Sequence, residues 1–176
     1  MIAIGCLRPQ TAKRVTQLVA AAEDAGAEYI LVTCSSIGKA VEMAAGLSRV
    51  PVLRIDRPMA EKAVTVGPRV GVIATLHTTL EPTADLVQRC AVEAGKNIRI
   101  TARLCDGAFE ALMSGDTATH DSMVSIALRE LMCDVDVIVL AQASMARVVD
   151  ALPEGEKRVP ILASPLLAID YLATVL

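Results

Sequence analysis

The sequence predicts an α/β fold in which parallel strands are flanked by helices. Short apolar runs of strand length alternate with amphipathic stretches of helical period, and the connections between them are short. Hydrophobic residues make up 53% of the 176 residues but aromatic residues only 2%, so the core must consist of Val, Leu, Ile and Ala. Such side chains suit helices that pack closely on a parallel sheet.

The N-terminal part of the chain predicts three helices and two strands. Apolar residues at 15, 18, 19 and 22 have the spacing of an amphipathic helix over 11–25, and Gly26 ends it. The unbroken apolar run 29–33 predicts a buried strand. A helix over 37–45 and a strand over 52–55 follow. Pro58 begins the third helix, because proline is well placed in a first turn.

The remainder continues the alternation. Strands are predicted over 70–74, 98–103, 137–140 and 161–163, and helices over 81–94, 108–113, 119–132, 145–152 and 166–175. Gly115 ends the short helix that precedes it. The helix over 119–132 carries its apolar face on Met123, Ile126, Ala127 and Leu131.

The chain also contains an internal repeat. The segment "YILVTCSSIGKAVE" from Tyr29 aligns with "VIVLAQASMARVVD" from Val137 at an offset of 108, and "RVPVL" from Arg49 aligns with "RVPIL" from Arg158. Any two strand–helix units look alike, but the identical "RVP" and the shared register favour duplication. Two related lobes commonly bind a ligand between the carboxyl ends of their strands.

The repeat predicts the domain organisation. We expect a shortened first lobe over 1–66, a second lobe over 67–165, and a C-terminal helix over 166–176 that packs back on the lobes. In the second copy a strand, a helix and another strand precede the helix at residue 119, whereas only residues 1–10 precede its counterpart. The segment "MIAIG" could form a minimal strand only. We therefore expect the first lobe to lack its opening strand, either because it is naturally shorter or because the chain starts late.

Composition argues against several classes of function. A net charge of −3, with no basic stretch and no stacking aromatics, argues against nucleic acid as a partner. The apolar runs are too short for a membrane span, and no signal peptide is recognisable. Five cysteines without paired spacing are typical of a protein in a reducing cytoplasm. The sequence contains no CxxC or HxxxH motif, so we expect no metal site.

A thiol lies at the junction of a strand and a helix in "LVTCSSIG". Cys34 could be a small buried residue that closes the strand. Alternatively, it could be a nucleophile or proton carrier, because the N-terminus of a helix favours a thiolate.

Three segments together resemble the aspartate/glutamate racemase superfamily, which includes hydantoin racemases, maleate isomerases and arylmalonate decarboxylases: "LVTCSSIG", "GVIATLHTTLEPT" and "VDVIVLAQASMARV". The resemblance implies two pseudo-symmetric α/β lobes with the active site in the cleft between them. It also implies cofactor-independent chemistry by two cysteines that face each other across the substrate. Cys34 matches the first cysteine, but Gln142 stands at the second position, and its amide cannot carry the proton that inversion requires.

Substrate-binding residues are predicted at the strand ends. The resemblance implies that the threonines of "ATLHTT" bind a substrate carboxylate, and Thr75, Thr78 and Thr79 precede a helix whose first N–H groups are unsatisfied. They could equally cap that helix. Further candidates that could cap a helix or bind ligand are Ser35, Ser36 and Ser144, and Gln142 is a candidate through its position. His77, in the same loop, is a less favoured substitute acid.

Other polar residues are expected to be structural. His120 is predicted at the surface, and Asp56 and Arg57 in a solvated turn, although they could face the cleft. The remaining cysteines are predicted to pack away from strand ends: Cys6, Cys90, Cys105 and Cys133.

The sequence therefore predicts a racemase- or isomerase-type enzyme that acts on a small carboxylate, with Cys34 as base or nucleophile and no cofactor. The alternatives are a decarboxylase-like enzyme with one thiol and a non-catalytic protein that binds small anions. We also expect a homo-oligomer, because an unpaired sheet edge with exposed apolar surface promotes association.

Overall fold

A computed structural model describes residues 7–176, so the predictions for "MIAIG" and Cys6 lie outside the described residues. The helices are α1 (Pro9–Asp24), α2 (Gly38–Ala45), α3 (Arg57–Val66), α4 (His77–Glu93), α5 (Ala108–Met113), α6 (Thr117–Leu131), α7 (Ala146–Ala151) and α8 (Ser164–Val175). The strands are β1 (Ile30–Val32), β2 (Val52–Arg54), β3 (Arg69–Ala74), β4 (Arg99–Leu104), β5 (Val137–Leu140) and β6 (Ile161–Ala163).

The strands form two parallel sheets. β1 pairs with β2, and a second sheet has the order β4-β3-β5-β6. Parallel neighbours need crossover connections, and the helices between successive strands provide them. The predicted α/β class with parallel sheets and flanking helices is confirmed.

The four-stranded sheet is the middle layer of a three-layer arrangement. Alternate residues of a strand point to opposite faces. Val70, Val72 and Val139 therefore pack on one face with α3 and α4, while Ile73 and Ile138 pack on the other with α6 and α7. Each face is closed by aliphatic side chains, as the composition predicted.

A smaller core belongs to the two-stranded sheet. Val15 and Val19 of α1 pack there against Ala40, Val41 and Ala44 of α2. The small alanines allow α1 and α2 to approach each other closely. Gly26 follows α1 with φ +89°, the left-handed conformation that ends helices and that favours glycine.

The internal repeat is visible in the register of the strands. Ile30 pairs with Val52 in the first sheet, and Ile138 pairs with Ile161 at the corresponding place in the second. A one-turn 3₁₀ helix follows each first strand, at Ser35–Ile37 and at Ala143–Met145, and leads into α2 and α7 respectively. The two copies thus share local structure as well as sequence.

Helix α4 begins one turn earlier than predicted. The helix was predicted over 81–94, but it begins at His77 and Pro82 lies inside it. The carbonyl oxygen of Leu76 closes the earlier turn by accepting the N–H groups of Thr79 and Leu80, at 3.1 and 3.0 Å. The segment predicted as a loop over 77–79 is therefore helical.

One residue of the predicted apolar face lies outside the core on each of two helices. Leu18 of α1 is 69% exposed and Ile126 of α6 is 52% exposed, although both were predicted to face the core. The buried residues of α6 are spaced at i, i+4, i+7, i+8 and i+11 from residue 120: His120, Val124, Ala127, Leu128 and Leu131.

Across residues 7–176, none of the helices combines the length and the apolar character that crossing a bilayer requires.

Candidate functional site

The carboxyl ends of three neighbouring strands bring polar residues together. The N–H of Cys105, directly after β4, donates to the carbonyl of Ala74 at 2.8 Å, and the N–H of Ala141, directly after β5, donates to that of Ile73 at 3.0 Å. Thr75, which follows β3, thus lies between the ends of β4 and β5. This is the edge of a parallel sheet at which α/β proteins bind ligands.

Gln142 and Thr75 contact each other directly. The Oε1 of Gln142 accepts the backbone N–H of Thr75 at 2.7 Å and the Thr75 hydroxyl at 3.1 Å. The Nε2 of Gln142 donates to Thr75 Oγ1 at 2.8 Å. Because a backbone N–H needs an acceptor, the amide oxygen must be the atom that faces it. The structure therefore joins two of the predicted site residues.

The other two threonines lie in the first turn of α4. Thr78 is buried, and its Oγ1 has no hydrogen-bond partner within residues 7–176. Thr79 Oγ1 donates to the carbonyl oxygen of Leu76 at 2.9 Å, so Thr79 stabilises the turn, and the N-cap residue Leu76 makes no capping hydrogen bond through its side chain. His77 is the exposed first residue of the helix rather than part of a loop.

Cys34 lies between β1 and the 3₁₀ turn, with an exposed side chain and extended backbone at φ −126° and ψ 105°. Gln142 has nearly the same conformation at the equivalent place after β5, φ −135° and ψ 130°. Ser35 and Ser36 are half-buried in the turn after Cys34, and that turn packs against α4. Ser144, the counterpart of Ser36, is exposed. The structure gives no hydrogen bond between Cys34 and the threonines.

The other described cysteines differ in their environment. Burial raises the pKa of the Cys90 and Cys105 thiols, which makes them poor nucleophiles near neutral pH. Cys105 packs in the core as predicted, but it directly follows a strand, contrary to the prediction. Cys133 is exposed rather than packed. Cys34 and Cys133 are thus the exposed thiols among residues 7–176.

A buried guanidinium lies beside the turn that carries Cys34. Arg54 is 5% exposed and makes a bidentate ion pair with Asp56, at 2.9 and 2.8 Å. Its third nitrogen donates to Oε1 of Glu42 at 2.6 Å. Burial disfavours the charged guanidinium, but the hydrogen bonds to both carboxylates outweigh it and hold the pKa of Arg54 above its ordinary value.

This cluster corrects the prediction for residues 56 and 57. Asp56 is 1% exposed and does not lie in a solvated turn. Arg57 is partly exposed and pairs with Glu61 at 2.6 Å and with Glu93. A signal for the buried pair was present, because Arg54 and Asp56 are two residues apart at the end of a strand and so share one face.

His120 is the second correction, because it is fully buried rather than at the surface. Its Nδ1 lies 2.7 Å from a carboxylate oxygen of Asp121, which Arg147 of α7 also contacts at 2.6 Å. Its Nε2 has no partner within the described residues. The helical spacing of His120 with Val124 and Ala127 was the signal for its burial.

No group of three or more His, Cys, Asp and Glu side chains is arranged to hold a metal ion in the part of the chain that the structure describes.

Known structures share this fold. Glutamate racemase isoform RacE1 from Bacillus anthracis is 20% identical with a TM-score of 0.72, over 98% of this chain and 66% of its own. Glutamate racemase from Thermus thermophilus, solved in complex with β-chloro-D-alanine, is 19% identical with a TM-score of 0.73, over 98% of this chain and 65% of its own. Allantoin racemase from Klebsiella pneumoniae is 22% identical with a TM-score of 0.68, over 94% and 66%.

The chain thus spans about two thirds of the length of these proteins. Among curated proteins, no sequence matches it significantly. The family model for Asp/Glu/Hydantoin racemase matches residues 6–172, nearly the whole chain. The predicted family resemblance is confirmed: the chain belongs to the Asp/Glu/hydantoin racemase family.

Proposed function

We propose that this chain is a racemase- or isomerase-type enzyme that acts on a small carboxylate, with Cys34 as the base or nucleophile. The observation that carries the proposal is the exposed thiol of Cys34 at the end of β1. Among the other described cysteines, Cys90 and Cys105 are buried, and Cys133 lies between α6 and β5, in a connection that enters a strand rather than leaves one. Membership of the racemase family agrees with this assignment.

The proposed carboxylate site is the end of β3 and the first turn of α4. Thr75 offers a backbone N–H and a hydroxyl, and Thr78 offers a buried hydroxyl that has no partner among residues 7–176. The N-terminus of a 17-residue helix adds unsatisfied N–H groups and a favourable dipole for an anion. Thr79 completes the turn, while Ser35, Ser36 and Ser144 follow the other strand ends and remain proposed ligand contacts.

This arrangement suits removal of a proton from the carbon beside a carboxylate. The Cys34 thiolate takes the proton and becomes a thiol, and the carbanion's charge spreads onto the carboxylate oxygens. Donors fixed at those oxygens stabilise the charge in the transition state. Inversion needs a second acid on the opposite face, and Gln142 at the equivalent repeat position has no proton to give near neutral pH.

Proton exchange in deuterium oxide tests the proposal. We expect the enzyme to incorporate deuterium at the α-carbon of aspartate or glutamate, and Cys34→Ser to slow this at least about 100-fold, the usual contribution of a positioned base. Cys133→Ser is the matched control, because it removes the other thiol that is exposed within the described part of the chain. Exchange that survives Cys34→Ser would show that Cys34 is not the base.

The stereochemistry of the same reaction separates one-thiol from two-acid chemistry. Deuterium incorporation with retention means that one group removes and returns the proton. Incorporation with inversion means that a second acid exists, and His77 at the start of α4 would be the first residue to replace.

A decarboxylase-like enzyme with one thiol is the second candidate. The amide at residue 142 favours it, because decarboxylation followed by protonation needs a proton carrier on one face only. Release of carbon dioxide from substituted malonates, abolished by Cys34→Ser, would support it. A protein that only binds small anions would show neither exchange nor decarboxylation, although a ligand would still protect Cys34 from iodoacetamide.

A further inference from the structure

The contact between Gln142 and Thr75 occupies the donors assigned to a ligand. Thr75 is 4% exposed, and both its N–H and its hydroxyl hydrogen bond to the Gln142 side chain. A backbone N–H makes one good hydrogen bond, so a ligand oxygen cannot take it while Oε1 of Gln142 remains 2.7 Å away. The site in this structure is therefore filled by the protein's own side chain.

A carboxamide resembles a carboxylate closely enough to serve as this occupant. Its carbonyl oxygen accepts from the same two donors that one carboxylate oxygen would use. Unlike a carboxylate, its other atom is a donor, and here Nε2 donates to Thr75 Oγ1 at 2.8 Å. The interaction is neutral, whereas hydrogen bonds to a charged carboxylate are roughly twice as strong.

Gln142 can leave this position at modest cost. Its side chain is half-buried rather than enclosed, and it lies between a strand and a three-residue turn. A rotation of the side chain would place the amide in solvent without disturbing β5. Thr75, in contrast, is buried at the end of β3 and stays in place.

We propose that the Gln142 carboxamide is an internal ligand of Thr75, which a substrate carboxylate displaces. The inference rests on the proposed function, since it uses the same carboxylate site. It adds a selection rule: an anionic carboxylate displaces the amide, and a neutral carboxamide of the same shape does not.

The test follows the Thr75 amide by ¹H–¹⁵N NMR while succinate or succinamide is added to the full chain. We expect succinate to shift the Thr75 resonance and succinamide to leave it unchanged. Gln142→Ala removes the competitor, so it should bind succinate at least about fivefold more tightly, the factor that a single one of its hydrogen bonds to Thr75 accounts for. Gln142→Glu should bind more weakly than the wild type, because an internal carboxylate competes on equal terms.

Gln88→Ala is the matched control, because Gln88 is exposed on α4 and should leave affinity unchanged. Gln142→Asn is a second variant, since its shorter side chain no longer reaches Thr75, and it should resemble Gln142→Ala. Equal or weaker succinate binding in both shortened variants would overturn the proposal. So would succinate binding that leaves the Thr75 resonance in place.

The outcome is separable from the test of the proposed function. Tighter succinate binding by Gln142→Ala without any α-proton exchange in the wild type would support the internal ligand and contradict the enzyme assignment. Exchange in the wild type with unchanged succinate affinity in Gln142→Ala would support the enzyme assignment and contradict the internal ligand.

Discussion

A single glycine determines how closely α2 can approach the buried guanidinium of Arg54. A Cβ at residue 38 would lie 2.2 Å from Cζ of Arg54 and 2.4 Å from one of its nitrogens. Arg54 cannot easily move away, because Asp56 and Glu42 hold all three of its nitrogens. Gly38 is thus required for packing, at the point where the turn from Cys34 enters the helix.

We predict that Gly38→Ala lowers the free energy of unfolding by about 1–3 kcal/mol, the usual cost of overpacking. Urea denaturation measures this change. Gly155→Ala is the control, because a Cβ there meets nothing within 4 Å, and it should be nearly neutral. Equal stability of the two variants would mean that Arg54 yields without cost.

At the residue scale, the sequence predicted the positions of the site residues better than it predicted their hydrogen-bond partners. The strand-end pattern placed Thr75 and Gln142 after strands, and the structure shows that these two strands, β3 and β5, are neighbours. The pattern did not predict that the two side chains would hydrogen bond to each other, nor that Arg54 would form ion pairs with two carboxylates. The choice of partner depends on how elements pack in three dimensions, which local patterning does not encode.

The start of α6 shows how one side chain stabilises an element. Asp116 is the N-cap residue, and its carboxylate accepts the backbone N–H of Thr119 at 3.0 Å. Hydrogen bonding from Thr119, through its side chain and then its backbone N–H, lowers the pKa of Asp116. A lowered pKa means that the charged cap stabilises the fold fully above the pKa of the unfolded chain and less as pH falls through the folded value.

We predict that Asp116→Ala lowers the melting temperature at neutral pH, and that Asp116→Asn, which retains a neutral cap, lowers it less. The difference between wild type and Asp116→Asn should shrink as pH falls below about 4, where aspartate becomes protonated. Thermal unfolding followed by circular dichroism at several pH values checks this. A difference that is constant with pH would contradict the role of the charge.

Elements themselves were well predicted from hydrophobic period and turn residues. β5, β6 and α5 have the predicted bounds, and the order of all elements was correct. The predicted start of α4 at residue 81 left out the first turn of the helix. Hydrogen bonds from Thr79 to the Leu76 carbonyl close that turn. On α6, Ala127 and Leu131 are buried as predicted but Ile126 is exposed, because the buried face runs through His120 and Val124.

At the scale of the whole molecule, one carboxylate joins the two sheets. Oε1 of Glu42 on α2 accepts from Arg54 of β2 at 2.6 Å and from Arg89 of α4 at 2.9 Å. Arg89 also donates to Asp85 at 3.0 Å. α2 packs against the two-stranded sheet, to which β2 belongs, and α4 covers the four-stranded sheet. The two ion pairs of Glu42 therefore connect the two sheets.

We predict that Glu42→Ala lowers the free energy of unfolding by about 1–2 kcal/mol, because it leaves the buried Arg54 with one carboxylate fewer. Glu61→Ala, which breaks an exposed pair on α3, should cost less than about 0.5 kcal/mol. Chemical denaturation of both variants gives the comparison. Similar losses would mean that the bridge between the sheets adds nothing beyond a surface pair.

The predicted homo-oligomer stays a prediction. Exposed apolar residues are present on α8, among them Leu166 at 78% and Ile169 at 57%. Light scattering across a tenfold dilution would measure the state of association.

The duplicated register has a consequence for chirality. Cys34 and Gln142 occupy equivalent positions of the two repeat copies, with a thiol in one copy and an amide in the other. Under the proposed function, Gln142→Cys would permit inversion. The exchange of both residues, Cys34→Gln with Gln142→Cys, would reverse which enantiomer loses its α-proton faster, as chiral chromatography of a racemic substrate would measure. The preference of the enzyme for one enantiomer would then depend on which repeat copy carries the cysteine, while the backbone stays the same.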